Sequence, residues 1–212
     1  HYLNATKYNY TPMNQDDVNE LITRLTKITN DPPNYPYIRH QKQQHGNIPL
    51  WVMMKALTLG TVSKLYSFLP QSIQHNVSKE FEYVHEGMLV QMLDLLARVR
   101  NVCAHNERLF DYKYQKGTID DTYVHNALAI EKKKGQYIKG KNDLFAVVIV
   151  LKYLLSEEDF SSFVQELEKI TEQLFLDTRV IEKLQLYKYM GFTENWFDID
   201  ACTKTGEKKI SE

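Results

Sequence analysis

Glycine and proline are scarce in this sequence, with 8 and 6 copies respectively in 212 residues. Counts this low exclude collagen-like chains and Gly/Pro-rich linkers. Hydrophobic residues make up 43% of the chain and charged residues 25%, a balance that also excludes an intrinsically disordered protein. A chain of this length is expected to form one or two domains around a sizeable buried core.

An excess of charge of either sign is also lacking. Lys and Arg together number 26 and Asp and Glu 27, so the formal net charge at pH 7 is -1. A nearly neutral chain has no overall field that would draw it onto nucleic acid or an anionic membrane. Any binding of RNA or phosphate must therefore come from a local cluster of cations.

Cysteine is rare, and the sequence contains no pattern typical of a metal site. Cys103 and Cys202 lie far apart, and neither is close to a second cysteine or a histidine pair. His40 and His45 are five residues apart, which is not the i,i+4 spacing that suits zinc on a helix. The sequence predicts two reduced thiols, no metal and no other cofactor.

Long hydrophobic runs are missing as well. The longest covers residues 144–151 and ends at Lys152, too short to cross a hydrocarbon layer of about 30 Å. We interpret it as a buried core helix. The chain does not open with a charged-then-apolar leader, so the sequence predicts a cytoplasmic protein without membrane contact.

Apolar residues recur mainly at spacings of three and four, which predicts an all-α fold. We expect one domain over residues 1–212, with a weakly periodic loop excursion at 111–141 and a frayed polar tail at 203–212. The predicted helices cover residues 14–29, 49–59, 61–69, 72–81, 83–110, 142–155, 156–176 and 177–190, and residues 38–45 are predicted to form a loop or a short helix. Asn142, Ser156 and Asp177 are the predicted N-caps of the last three helices, and Gly191 is predicted to end the last one.

The longest predicted helix, 83–110, has two different faces when its residues are placed about 100° apart. Its predicted core face consists of Met92, Leu95, Leu96, Val99, Val102, Cys103 and Phe110. Its other side carries Arg98, Arg100, Asn101, His105 and Arg108. Such residues are common on a solvated helix surface. Crowding of arginines around a histidine instead favours a surface that binds an anion.

The segment RNVCAHNERLF at 100–110 resembles the signature of the Abi-like (AbiD/AbiF) abortive-infection proteins, a branch of the HEPN superfamily. The core of that signature is the R-x4-H motif, here Arg100 and His105. The resemblance extends upstream through PLWVM at 49–53 and LTLGTVSKLY at 57–66, and so spans about a third of the chain.

The resemblance implies an all-α, HEPN-type helical bundle with an inserted loop region. It also implies a homodimer that brings two copies of the motif helix face to face, and a metal-independent endoribonuclease activity. Members of the family carry a further N-terminal stretch, so we expect part of the bundle to precede residue 1.

The chemistry of RNA cleavage suits these residue types. Attack by the 2′-hydroxyl needs a base and an acid, and a two-fold interface supplies His105 twice. Arg100 would neutralise the charge that grows on the phosphorane. Asn101 would orient the imidazole or the phosphate, and Arg98 and Arg108 would contact flanking phosphates.

The resemblance predicts a ribonuclease that arrests growth by cutting cellular or invading RNA in defence against phage. The alternative is a catalytically silent HEPN module that binds RNA or a partner protein through the same face. A third possibility is a toxin restrained by a cognate RNA or protein antitoxin.

Two further features leave alternatives open. Lysines at 132–134 with Lys139 and Lys141 are typical of a solvated loop, although such a cluster also suits RNA phosphates. Trp51 and Trp196 are predicted to lie in the core rather than to serve as stacking platforms for bases.

Overall fold

A computed structural model describes residues 1–30, 34–115, 117–178 and 182–203. These residues form ten α-helices, two short 3-10 helices and a single hairpin of two-residue strands. The α-helices are α1 (Gln15–Thr29), α2 (Pro36–His45), α3 (Leu50–Met54), α4 (Leu59–Phe68), α5 (Gln71–Ser78), α6 (Glu86–Ala104), α7 (Tyr123–Ala127), α8 (Leu144–Leu154), α9 (Glu157–Thr178) and α10 (Lys183–Met190). The predicted all-α fold class is confirmed.

The first of two compact units comprises His1–Glu80 and His85–Ala97. Its core begins at α1, which packs against α4. The spacing of three and four residues places one stripe of α1 in the interior, as the sequence predicts. The buried core cluster consists of Tyr8, Val18, Leu21, Leu25, Ile38, Ile48, Val52, Met53 and Leu65.

Trp51 does not lie in this core, contrary to the prediction from the sequence. Its side chain is 64% exposed, and Lys55 Nζ lies 5.6 Å from the centre of its ring. The helix that carries it, α3, has five residues and turns Val52 and Met53 inward. A five-residue helix turns only a few of its side chains toward the core, and that of Trp51 is not one of them.

The start of α6 is fixed by its neighbours in the first unit. His85 Nδ1 accepts a hydrogen bond from the Met88 N–H at 3.2 Å, so His85 caps the helix and Glu86 begins it. Gln71 and His75 of α5 contact the Glu86 carboxylate at 3.0 and 3.4 Å. The backbone N–H of Glu86 and these two side chains lower the pKa of Glu86 to about 2.

The second unit comprises Phe81–Val84 and the described chain from Arg98 onward. The division falls inside α6, so every predicted site residue belongs to this unit. Helix α8 is its most deeply buried element, with six consecutive residues from Phe145 to Val150 inside the protein. This confirms that the longest hydrophobic run is a core helix, and α8 packs against α9.

Asp143, rather than the predicted Asn142, caps α8. Its side chain accepts a hydrogen bond from the Ala146 N–H, as well as from the Gly140 N–H. Gly191 ends α10 in the left-handed region, with φ 80°. A Cβ at Gly191 would lie 2.1 Å from Asp143 Cγ, so glycine is required there both by backbone conformation and by space.

An aromatic cluster completes the core of this unit. The rings of Phe145 and Phe192 lie 5.2 Å apart, and those of Phe192 and Trp196 4.9 Å apart. Trp196 opens the 3-10 helix Trp196–Ile199 and is fully buried. The prediction that Trp196 belongs to the core is confirmed.

The segment predicted as a loop excursion, residues 111–141, contains short elements of regular secondary structure. It contains α7 and a hairpin in which Lys132–Lys133 pairs with Gln136–Tyr137. Lys134 and Gly135 have φ 52° and 80°, the positive values that a two-residue hairpin turn requires. Periodicity over so few residues is too weak to reveal such short elements.

Several predicted helix ends also differ from the structure. Asp177, predicted to cap the last helix, lies inside α9, and α10 begins at Lys183. The predicted tail at 203–212 lies outside the described residues except for Thr203. Within the described ranges, no helix combines the length and the apolar content that crossing a bilayer requires.

Candidate active site

The motif helix α6 ends at Ala104, six residues before the predicted end, because Asn106 leaves the helical conformation. Asn106 has φ 58°, in the left-handed region. The Asn106 N–H donates to Cys103 O at 3.2 Å, and the Glu107 N–H donates to Val102 O at 3.0 Å. These two bonds form a Schellman motif, in which asparagine tolerates the positive φ better than most residues.

This helix end leaves His105 at the last position before the turn. The His105 N–H donates to Asn101 O at 3.0 Å, the final backbone bond of the helix. The side chain is exposed. Among the residues that the structure describes, none forms a hydrogen bond or an ion pair with this imidazole. The ring is therefore accessible to a substrate or to a second copy of the chain.

Arg100 and Asn101 are also exposed, and they contact each other. Arg100 Nη1 donates to Asn101 Oδ1 at 3.3 Å. On the helix Asn101 lies about 40° from His105, whereas Arg100 lies about 140° away. The structure thus links the guanidinium of Arg100 to the residue that shares the face of His105.

Arg98 also lies on α6, two residues before Arg100, and its side chain is half-buried. Its guanidinium carbon lies 5.7 Å from the centre of the Tyr114 ring, which is buried. A cation above an aromatic face is attracted to it. Arg98 thus contributes to packing in the second unit, a contact that the sequence analysis did not anticipate.

Arg108 lies beyond the helix and is held by Asp111. Arg108 Nε donates to Asp111 Oδ1 at 3.0 Å, and Nη2 lies 2.7 Å from Oδ2. The same guanidinium lies 5.4 Å from the centre of the Phe110 ring. Sequence reasoning missed Asp111, although an acidic residue three positions after an arginine was a visible signal.

The prediction of the core face of α6 is wrong for two residues. Cys103 is exposed, and Phe110 is 40% exposed. The helical wheel does not apply to Phe110, because the chain leaves the helix at Asn106. Four of the other predicted core residues are buried, namely Met92, Leu95, Val99 and Val102, and Leu96 is partly buried.

The predicted lysine cluster divides into two groups. Lys139 Nζ donates to Phe192 O at 2.7 Å, and Lys141 is buried with its Nζ 2.6 Å from Asp121 Oδ1. Both lysines support the fold. Lys132 and Lys133 are exposed on the hairpin, as a solvated loop would be.

Within the described residues, no three His, Cys, Asp or Glu side chains come together in a metal-binding arrangement. Cys103 and Cys202 are free thiols.

A comparison with known protein families supports the family resemblance that the motif residues carry. A family profile described as "Abi-like protein" matches residues 1–111, which is more than half of the chain and includes all of α6. The chain belongs to the Abi-like protein family. No curated protein and no solved structure shows significant similarity to it.

Proposed function

We propose that this protein is a HEPN-superfamily endoribonuclease of the AbiD/AbiF type, acting in the cytoplasm in abortive-infection defence against phage. Membership of the Abi-like family supports the defence role. The observation that carries the nuclease proposal is the exposed imidazole of His105, one helical turn from the hydrogen-bonded pair Arg100 and Asn101.

The reaction follows from what these groups can do. One imidazole takes the proton of the RNA 2′-hydroxyl, whose oxygen attacks the adjacent phosphorus. The bond from phosphorus to the 5′-oxygen breaks, and a second, protonated imidazole gives its proton to that oxygen. The products are a 2′,3′-cyclic phosphate and a free 5′-hydroxyl, so atoms and charge balance without a cofactor.

Each remaining polar group has a role in this scheme. Arg100 stabilises the negative charge that develops on the phosphorane oxygens. Asn101 accepts a hydrogen bond from Arg100 and so holds that guanidinium near the imidazole face. Arg108, whose side chain is largely exposed beyond the helix end, would contact the phosphate of a flanking nucleotide.

The need for two imidazoles predicts a homodimer. A two-fold axis beside α6 would place one His105 from each chain on the same ribose-phosphate. Two arginine-bearing faces repel each other unless an anion lies between them. We therefore expect RNA to stabilise the dimer.

The experiment is an RNA cleavage assay in the presence of EDTA. The wild-type chain is expected to cut RNA, whereas His105→Ala and Arg100→Ala are expected to lose cleavage and keep the helical circular-dichroism signal. His40→Ala is the matched control, since His40 is an exposed histidine on α2, outside the motif. Cleavage that survives His105→Ala would contradict the proposal.

One observation favours a second candidate function, a silent module that binds RNA or a partner protein. All three arginines predicted for the site make contacts within the chain, Arg98 with Tyr114, Arg100 with Asn101 and Arg108 with Asp111. Such engagement leaves fewer free donors for a transition state. Tight RNA binding by the wild-type chain without any cleavage would support this alternative.

A further inference from the structure

An apolar pocket lies directly after the motif, within the second unit. Its volume is about 660 Å³, within the range of small-molecule sites. Its lining includes Arg108 and Phe110 next to the motif, Ile170 and Leu174 of α9, and Tyr189 of α10. Phe110 and Tyr189 thus contribute aromatic surface to the lining.

A smaller pocket of about 330 Å³ adjoins the first, since Asp111 and Tyr189 line both. It adds Lys113 and Lys188 to its walls. Among the described residues that line the two pockets, the charged side chains are three cations and one carboxylate. Lys113 Nζ also lies 3.7 Å from the buried Asp143 Oδ2, so that with this carboxylate counted the border of the apolar pocket keeps one net positive charge.

The combination suits a nucleotide, which joins a flat apolar base to a phosphate. Bases stack on aromatic side chains with little dependence on sequence, and lysines beside the stack attract the backbone. A purely apolar peptide would gain nothing from the lysines.

The position relative to the motif fits the same ligand. Phe110 lies five positions after His105, so their Cα atoms lie at most about 18 Å apart. A strand that advances 3.4 Å per nucleotide, as in a duplex, would cover this distance in about five nucleotides. An RNA cut at His105 would thus reach the pocket with a nucleotide at most about five positions from the cleaved bond.

We propose that the apolar pocket binds the base of a nucleotide within about five positions of the cleaved bond, with its phosphate at Lys113 and Lys188. This inference rests on the proposed function, because it takes RNA to be the ligand of the motif. The pocket would anchor the strand and would have no part in proton transfer.

The test measures binding of a fluorescein-labelled single-stranded RNA to the full chain carrying His105→Ala, so that cleavage does not interfere. Tyr189→Ala and Leu174→Glu, placed on different helices, are each expected to weaken binding about tenfold. Tyr189 is 53% and Leu174 41% exposed, so both changes are compatible with folding. Tyr189→Phe keeps the ring and should retain affinity.

Leu176→Glu is the matched control. Leu176 lies on the same helix, is 70% exposed and does not line the apolar pocket. It should bind RNA like the parent chain. A 4-thiouridine in the RNA should cross-link to Tyr189 or Phe110 on irradiation.

The outcomes separate this inference from the nuclease proposal. If the wild-type chain cleaves RNA while Tyr189→Ala and Leu174→Glu bind normally, the pocket proposal is overturned and the nuclease stands. If no cleavage occurs but both variants lose affinity, the pocket stands and the nuclease fails. Free AMP that binds at the pocket without competing with RNA would also overturn the proposal, as would cross-links confined to other surfaces.

Discussion

The guanidinium of Arg108 is held by the carboxylate of Asp111 through two contacts. Nε donates to Oδ1 at 3.0 Å, and Nη2 lies 2.7 Å from Oδ2. A phosphate approaching Arg108 must therefore share its donors with Asp111 or displace that residue. The ion pair therefore limits the contribution of Arg108 to RNA binding.

Asp111→Asn is expected to tighten RNA binding, because it removes a negative charge beside the phosphate site. An effect of about fivefold at low salt corresponds to one Coulomb contact in water. The free energy of unfolding should fall by about 1 kcal/mol or less, as for other exposed ion pairs. Fluorescence anisotropy in the His105→Ala background measures the affinity.

Arg108→Gln provides the opposite change. It should weaken binding and reduce by about one the slope of log affinity against log salt concentration. Weaker binding by Asp111→Asn would instead show that Asp111 positions Arg108 for the substrate.

Asn106 provides a test of the helix end. Asn106→Val places a β-branched residue at φ 58° and should lower the free energy of unfolding by about 1–2 kcal/mol. Asn106→Gly should leave stability unchanged or slightly raise it. Urea denaturation of both variants measures the difference. Equal stability of the two would contradict the Schellman ending that exposes His105.

Much of the fold could be predicted because its signals are local. Ser156 Oγ accepts the Asp159 N–H at 3.1 Å and so caps α9, as the sequence indicated. Gly191 ends α10 for the same kind of reason. The exposed position of Arg100 and His105 also followed from the wheel, since both lie within or next to the regular part of α6.

The remaining features depend on geometry that spacing does not contain. The positive φ of Asn106 moves Phe110 off the helical wheel and into a surface pocket. That pocket brings together three segments that are distant in sequence. The cation-π contact between Arg98 and Tyr114 likewise joins residues sixteen positions apart.

His125 makes stability depend on pH. Its Nδ1 accepts the Thr122 N–H at 3.0 Å, and its Nε2–H donates to Gly140 O at 3.0 Å. Burial lowers the pKa of His125 to about 4, against the opposing hydrogen bond to Gly140 O, while Lys141 lowers it further and Asp121 opposes it. A proton on Nδ1 would break the bond from the Thr122 N–H and leave Thr122 Oγ1, 2.8 Å away, as its acceptor.

The unfolded chain therefore binds more protons than the folded chain between pH 6.5 and about 4, and stability falls as the pH is lowered through this window. The free energy of unfolding should decrease by about 2 kcal/mol between pH 7.5 and pH 5. Burial raises the pKa of Asp143, which acts in the opposite direction at lower pH. NMR titration of the His125 ring isolates its share, and an ordinary histidine pKa there would refute this account.

Mixing chains tests the two-histidine site. If each active site needs His105 from both chains, a dimer with one His105→Ala chain is inactive. After subunit exchange at equal concentrations, about one quarter of the wild-type activity per dimer should remain. If each chain contained a complete site of its own, about one half of the wild-type activity per dimer would remain. The His40→Ala chain, mixed in the same way, should cause no loss.

The most direct test of the central claim uses two RNA oligonucleotides that differ in one atom. Once a cleaved bond is identified, the 2′-hydroxyl preceding it is replaced by hydrogen, and both RNAs are incubated with the wild-type chain in EDTA. The account predicts that the unmodified RNA is cut to a 2′,3′-cyclic phosphate and that the deoxy-substituted bond stays intact. Equal cleavage of both bonds would contradict it.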